Sequence, residues 1–370
     1  VRVLMTGGGT GGHVNPAIAI ANTIRENEKD SVIAFVGTER GIENKLVPKF
    51  NYEVYHIEIQ GLKRKLTLSN LKTAYLTVTS VFKAKKLIKE FKPDVVIGTG
   101  GYVCWPIVKA AADMGIPTVL HESNALPGVA VRMLEKYVDI VYTNFEATIK
   151  RLKYPNKAIR VGNPLINGFE SDEKAVSEIK GDYKKIILSY GGSLGALRVN
   201  QEVMALMRDF SSKHPEVLHI HASGAIEKES TLALFKEYGL EKYDNLQLVE
   251  YIYDMPKKMA AADLVIARAG AMTLSELAML GKPCILIPSP NVTDNHQYKN
   301  AVELEKKNAA LVFEEKNLTD GVLTSAVEKL IFDDRKLSEM QKNVRSFAVE
   351  NTNALIYDGV KKLVERSARK

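Results

Sequence analysis

The sequence predicts an α/β protein of two doubly wound domains, each a parallel sheet covered by helices on both faces. Three observations lead there. Short β-branched runs alternate with helix-length amphipathic segments along the whole chain, the pattern of parallel strands buried on both sides. The pattern starts twice, at Val1-Arg-Val-Leu-Met-Thr6 and at Lys184-Lys-Ile-Ile-Leu-Ser-Tyr190. Each start runs into a glycine turn and then a helix, Gly7-Gly-Gly-Thr-Gly-Gly-His13 in the first half and Gly191-Gly-Ser-Leu-Gly-Ala196 in the second.

The first half continues with strand-like runs at Val32–Gly37, Val95–Gly98, Thr118–His121, Val138–Thr143 and Ala158–Val161. After the restart come Val217–Ala222, Leu246–Val249, Leu264–Ala267 and Cys284–Ile287. Between the halves, Gly162-Asn-Pro-Leu-Ile-Asn-Gly168 is punctuated as a linker. At 370 residues the chain exceeds the usual size of one core. The expected domains are 1–163 and 164–345, with a closing helix over 346–370 that crosses back onto the first domain. The tail reads as helical from Ser338, with a break near Asn351-Thr-Asn353.

Composition narrows the function. Apolar residues at 45% and charged residues at 26% are those of an ordinary globular protein. A formal charge of +7 and a pI near 9.0 favour an acidic partner, such as a phosphorylated metabolite or anionic lipid. Nucleic acid is disfavoured, because the basic residues are dispersed and no aromatic platforms interleave with them. Cys104 and Cys284 fall one per half, which implies no disulfide framework and fits a reducing compartment. No signal peptide is recognised, and no apolar run approaches the roughly 18–20 residues of a bilayer span. The expectation is a soluble, cytoplasmic protein.

A strand, a side-chain-free turn and a helix start together form a cradle of backbone N–H groups for an anion. Gly7-x-Gly9-x-x-Gly12 alone matches the dinucleotide fingerprint weakly, with Glu39 a loose candidate for its acidic partner. The five glycines suggest instead that a ligand approaches bare backbone. His13 opens the helix, where the dipole favours a neutral imidazole able to act as general base; a capping histidine is the alternative. Thr99-Gly-Gly-Tyr102 offers a second cradle, so Gly100, Gly101 and Tyr102 are candidates for an acceptor diphosphate. In His121-Glu-Ser-Asn-Ala-Leu-Pro-Gly128, Asn124 emerges at a carboxyl sheet edge and suits a sugar hydroxyl.

In the second half, Ala269-Gly-Ala271 lets backbone near a ligand, Thr273 can cap a helix, and Glu276 one turn on can accept bonds from both ribose hydroxyls. Leu62, Leu66, Leu68 and Leu71, rimmed by Lys63, Arg64, Lys65 and Lys72, form a candidate membrane patch. Four cations supply roughly 4 kcal/mol of attraction to an anionic leaflet, enough for reversible adsorption. Neither CxxC, HExxH nor a Walker loop is present, and no Asp-x-Asp stands at a strand end to clamp a metal.

In chain order, GGGTGGHVNP at 7–16, GTGGY at 98–102, HESNALPG at 121–128, GNP at 162–164, GGSLGA at 191–196, AGAMTLSE at 269–276 and DNHQ at 294–297 resemble the MurG family. Its members are the UDP-N-acetylglucosamine:lipid I N-acetylglucosaminyltransferases of peptidoglycan synthesis. The resemblance implies a GT-B fold, two Rossmann-like domains with the nucleotide donor held mainly by the second. It also implies inversion at the anomeric carbon, no cofactor and no bound metal. The enzyme would lie peripherally on the cytoplasmic face of the cell membrane, against its anionic inner leaflet. Its substrates would be UDP-GlcNAc and lipid I, and other cell-wall enzymes are candidate partners.

By the same resemblance, His13 is the base for the acceptor C4 hydroxyl, and Thr10, Gly11 and Gly12 lie near diphosphate. Asn124 and Gln297 meet the donor sugar, Ser193 a phosphate and Ile252 the uracil. Ala271, Met272 and Thr273 offer backbone, and Glu276 takes the ribose. Some members carry a donor-contacting arginine after GNP where this chain has Leu165-Ile166; Arg198 is a candidate substitute. The rivals are a UDP-N-acetylglucosamine 2-epimerase, an NAD-dependent reductase and a non-enzymatic nucleotide-sugar sensor.

Overall fold

The structure is a computed structural model that describes residues 1–59, 69–166, 169, 172–319 and 321–369, without the side chains of 69–78. Its contacts divide the chain into two compact units, Val1–Asn167 with Val349–Lys370, and Gly168–Ala348.

The first unit holds strands β1 (Arg2–Thr6), β2 (Val32–Gly37), β3 (Glu53–His56), β4 (Val95–Gly98), β5 (Thr118–Glu122), β6 (Ile140–Thr143) and β7 (Ala158–Arg160). They form one sheet in the order β3-β2-β1-β4-β5-β6-β7. Every described pairing is parallel; in register, Met5 of β1 sits between Phe35 and Ile97. Successive strand residues point to opposite faces, so β1 feeds two cores. Leu4 joins Val36, Val96 and Leu120 on one side. Val3 and Met5 join Val14 and Ile18 of the helix Gly11–Asn27 on the other. Ile356 and Val360 of the last helix, Thr352–Ala368, complete that second layer. Asn351 opens that helix at φ 58°, and Asn353 Nδ2 donates to the Leu165 carbonyl at 3.1 Å.

The second unit repeats the plan with β8 (Lys185–Tyr190), β9 (Val217–Ala222), β10 (Leu246–Val249), β11 (Leu264–Ala267), β12 (Cys284–Leu286) and β13 (Ala310–Val312). Their order is β10-β9-β8-β11-β12-β13, again with parallel pairings. Ile187, Leu264, Ile266 and Ile285 pack there with Val203, Leu323 and Val327 of the covering helices.

Two strands lack a sequence signal. Both β3 and β13 are sheet edges with one neighbour each. Glu53-Val-Tyr-His56 is half or fully exposed at every residue, and Ala310-Leu-Val312 spans only three. An edge strand needs no continuous apolar run, because only part of its surface is covered. The expected membrane patch falls outside the description: residues 62–66 and 68 are not described, nor are the side chains of Leu71 and Lys72. Among the described residues, no helix is long and apolar enough to cross a membrane.

Candidate active site

In both sheets the strand order reverses once, between β1 and β4 and between β8 and β11. Chains leave such a point towards opposite faces, and the carboxyl ends of the two strands frame a crevice where ligands bind. The glycine turns of the sequence sit at those four ends.

In the first unit, the β1 and β4 turns are bonded together. Gly8 N donates to the Gly100 carbonyl at 3.3 Å, Thr99 N to that of Thr6 at 2.9 Å, and Thr99 Oγ1 to that of His13 at 2.7 Å. A Cβ on Gly101 would lie 2.4 Å from the Gly8 carbonyl oxygen, and one on Gly100 would lie 2.6 Å from His13 Cδ2. The Gly100 N–H is taken by Cys104 Sγ at 3.2 Å, so this glycine makes room for the imidazole. Tyr102 stands exposed beside it.

His13 is the third residue of the helix Gly11–Asn27. Its Nδ1 lies 3.0 Å from the Gly8 carbonyl oxygen. A carbonyl only accepts, so Nδ1 carries the proton and Nε2 keeps its lone pair. Burial holds the imidazole below its usual 6.5, opposed in part by the bond to Gly8. The neutral ring expected from the helix dipole is thus first a consequence of burial. Thr10, 3.3 Å from Nδ1 through Oγ1, precedes the helix without a side-chain cap, and no acid lies in the first turn. The amides of Gly11 and Gly12 therefore open the helix as donors for an anion.

Asn124 follows β5 and is pinned by Glu122. Its backbone N–H and its Nδ2 both reach Glu122 Oε1, at 2.9 and 3.2 Å, while Glu122 Oε2 accepts from Gly128 N at 2.7 Å. His121 lies fully buried beneath, its Nε2 donating to the Gly162 carbonyl at 2.9 Å. Burial drives that imidazole down to about 4.

In the second unit, the turn after β8 is closed by main-chain hydrogen bonds. Ala225 N and Ile226 N donate to the carbonyls of Ser193 and Leu194 at 3.1 and 3.0 Å, and Gly195 N donates to that of Gly192 at 3.0 Å. Ser193 is exposed on the turn. Thr273 does not cap its helix. The helix Ala271–Leu280 starts two residues earlier, from Gly270, with no side-chain cap and no acid in its first turn. A helix start with neither a side-chain cap nor an acid leaves its positive end open to an anion. Glu276, one turn on and half-buried, forms no hydrogen bond or ion pair in the described structure, and burial pushes its carboxyl up to about 7.

Ile252 is 4% exposed, between the exposed Tyr251 and Tyr253, whose rings meet edge-on at 5.0 Å. Gln297 accepts from Ser289 N at 2.9 Å through Oε1. Arg198 is engaged within its unit, 2.8 Å from Glu202 and bonded to the Leu318 carbonyl.

The first unit thus assembles Thr10, Gly11, Gly12, His13, Gly100, Gly101 and Tyr102 around one switch point, with Asn124 on the next strand. The second assembles Ser193, Ala271, Met272, Thr273 and Glu276 around the other. Glu43 was not foreseen. It is 1% exposed, whereas Glu39, the acid suggested by the dinucleotide fingerprint, is exposed. The Glu43 side chain turns inward between three glycines. The only hint in the sequence is a carboxylate flanked by Gly37 and Gly41 after β2.

Two nucleotide-type units with glycine turns at their switch points define the class: a protein of two nucleotide-binding-type α/β domains. Residues 3–143 match the glycosyltransferase family 28 N-terminal domain, and residues 186–356 match the family 28 C-terminal domain. The chain belongs to glycosyltransferase family 28. A UDP-N-acetylglucosamine–N-acetylmuramyl-(pentapeptide) pyrophosphoryl-undecaprenol N-acetylglucosamine transferase of Acetivibrio thermocellus is 41% identical over 371 residues, covering 100% of both chains. The same-named protein of Caldanaerobacter subterraneus subsp. tengcongensis is 42% identical over 98% of this chain and 99% of its own. Among solved structures, MurG of Acinetobacter baumannii superposes with a TM-score of 0.79 at 29% identity, over 98% of this chain and 99% of that one.

Proposed function

We propose that the chain transfers N-acetylglucosamine from UDP-N-acetylglucosamine to the C4 hydroxyl of the muramoyl sugar of lipid I, giving lipid II and UDP. The observation that carries this reading is His13, held with Nδ1–H on the Gly8 carbonyl and Nε2 free to take a proton. Full-length relatives named for the same transfer support it over an epimerase.

In this reading the second unit binds the donor. The first-turn amides of Ala271, Met272 and Thr273, with the Ser193 turn, face the diphosphate. The Glu276 carboxylate accepts from the ribose hydroxyls, and backbone at Ile252 meets the uracil. Asn124 and Gln297 bond to the donor sugar. The amides of Gly11 and Gly12, with Thr10, Gly101 and Tyr102, receive the acceptor diphosphate, whereas Gly100, expected there too, has its N–H on Cys104 Sγ and only makes room for the imidazole. His13 Nε2 removes the C4 proton as the hydroxyl oxygen attacks the anomeric carbon. The bond from that carbon to the β-phosphate oxygen breaks, its electron pair leaves on UDP, and the configuration inverts. Charge on the departing UDP is met by fixed helix-start donors, each typically worth about 2.7–4 kcal/mol at a transition state.

Peripheral binding to an anionic membrane belongs to the same proposal. Phe82, Val129, Met133 and Tyr137 of the first unit are exposed, and Lys109 and Lys136 stand 4.4 and 4.6 Å from the Tyr137 ring centre. Neutralising Lys63, Arg64 and Lys65 together is expected to weaken binding to anionic vesicles at low salt; equal binding removes that patch. The decisive test of the activity is product analysis with labelled donor. A labelled disaccharide–lipid is expected with lipid I, and free N-acetylmannosamine would replace this reading by epimerisation.

A further inference from the structure

The Glu43 carboxylate is enclosed by backbone. Its Oε1 accepts from Thr38 N at 2.8 Å and Thr38 Oγ1 at 3.1 Å, and its Oε2 accepts from Gly9 N at 3.2 Å. Cβ atoms on Gly8, Gly37 and Gly41 would lie 2.9, 2.4 and 2.0 Å from its side-chain atoms. Three glycines thus wall one acidic side chain that is 1% exposed.

The bond to Gly9 N has a consequence at His13. Gly9 N–H and the Gly8 carbonyl are the two ends of one peptide plane. In a trans peptide those ends point in opposite directions. Drawing the N–H towards Glu43 turns the carbonyl away from it, and on that far side stands His13 Nδ1 at 3.0 Å. A Gly–Gly peptide has little steric resistance to rotation, and Gly9 already sits at φ 84°. If the plane flipped, it would present N–H to the imidazole, which favours the opposite tautomer with the proton on Nε2.

We infer that Glu43 is a positioning residue, which through the single Gly8–Gly9 peptide fixes the proton of His13 on Nδ1 and leaves Nε2 as the base. The inference rests on the proposed role of His13, but its test does not depend on that role.

Glu43→Gln is the discriminating variant. The amide keeps the shape of the side chain but has one acceptor oxygen in place of two. Oriented to serve both Thr38 donors, it turns its NH2 towards Gly9 N–H and breaks that bond alone. Glu43→Met fills the space with no oxygen and removes all three bonds. The tautomer is read from long-range proton–nitrogen spectra of protein labelled with 15N-histidine, with His13 assigned by loss of its signal in His13→Gln.

Wild type is expected to show His13 as the Nδ1–H tautomer. Both Glu43 variants should populate the Nε2–H form, and kcat should fall with the remaining Nδ1–H fraction, by about tenfold or more, at unchanged donor KM. A wild-type His13 spectrum in folded Glu43→Gln overturns the inference. So does a shift in Glu43→Met alone, because general loop packing then holds the ring. If Glu43→Gln does not fold, Glu43→Met decides by the same spectrum, with a wild-type signal again overturning the inference. Full turnover in His13→Gln together with a tautomer shift in Glu43→Gln would remove the base while leaving Glu43 as the residue that orients it.

Discussion

The turns after β1 and β8 share a plan, yet they are held by different means. The second is locked by main chain: Ala225 and Ile226 donate to its carbonyls, and Gly195 closes it from within. The first gives its Gly9 amide to a buried carboxylate and its Gly8 carbonyl to an imidazole. Main-chain closure makes a rigid cradle with no titrating group in it, as a diphosphate held by amides requires. Side-chain closure couples the turn to a proton, as a base requires. In the proposed reading a duplicated architecture carries two chemistries, and the two turns differ in what occupies their hydrogen bonds.

The sharpest way to break this contrast is to remove the proton acceptor. His13→Ala is expected to reduce turnover by about 10²–10⁴, measured as UDP release with lipid I. Near-normal turnover would make the first turn as purely structural as the second. Next in size is a response to acid that both units share. Burial lowers His121 in the first unit and His221 in the second from 6.5 to about 4. The unfolded chain takes up these protons near pH 6.5, and the folded chain only near 4. Stability is therefore complete above 6.5 and is lost as pH falls from there towards 4, by roughly 3 kcal/mol for each histidine at most. Urea midpoints between pH 7.5 and 5 measure this, and flat midpoints would contradict it.

Glu276 sharpens the donor side. Glu276→Ala should raise the donor KM by about ten- to a hundredfold, the value of charge-assisted hydrogen bonds to two hydroxyls. Hydrogen bonds from ribose favour the ionised carboxyl, whose value in the free protein is about 7. UDP binding should thus release a proton and weaken as pH falls below 7. Calorimetry in buffers of different ionisation heat detects that release, and its absence counts against the ribose assignment. The smallest effect compares two glycines. Gly192→Ala, at φ 98° with no atom near its Cβ, should cost about 1 kcal/mol of stability. Gly101→Ala, at φ 86° and 2.4 Å from the Gly8 oxygen, should cost more. Equal losses in denaturant titrations would show that the first crevice is not sterically closed.

Much was legible because it is written locally. The strand Arg2–Thr6 running into Gly7–Gly12 needs only an apolar run and residues without side chains, and the same holds for Lys185–Tyr190 and Gly191–Ala196. Glu276 could be placed by counting one turn from a glycine stop. The misses depend on which partners the fold supplies. Edge strands β3 and β13 are defined by a neighbour rather than by their own residues. Thr273 looked like a cap because hydroxyls cap helices, but Gly270 starts that helix. Arg198 looked available from its place after the turn, but it pairs with Glu202 and reaches the Leu318 carbonyl.

By itself, the sequence determined the duplicated α/β plan, the bare-backbone turns and the residue types at each sheet edge, since periodicity and glycine content act over a few residues. Tertiary structure alone decided which nitrogen of His13 holds its proton, and that Glu43 rather than Glu39 is drawn inward. Those outcomes depend on groups 5 and 34 residues apart in the chain meeting within hydrogen-bond distance, and the direction of a peptide plane is set only once both of its ends have found partners.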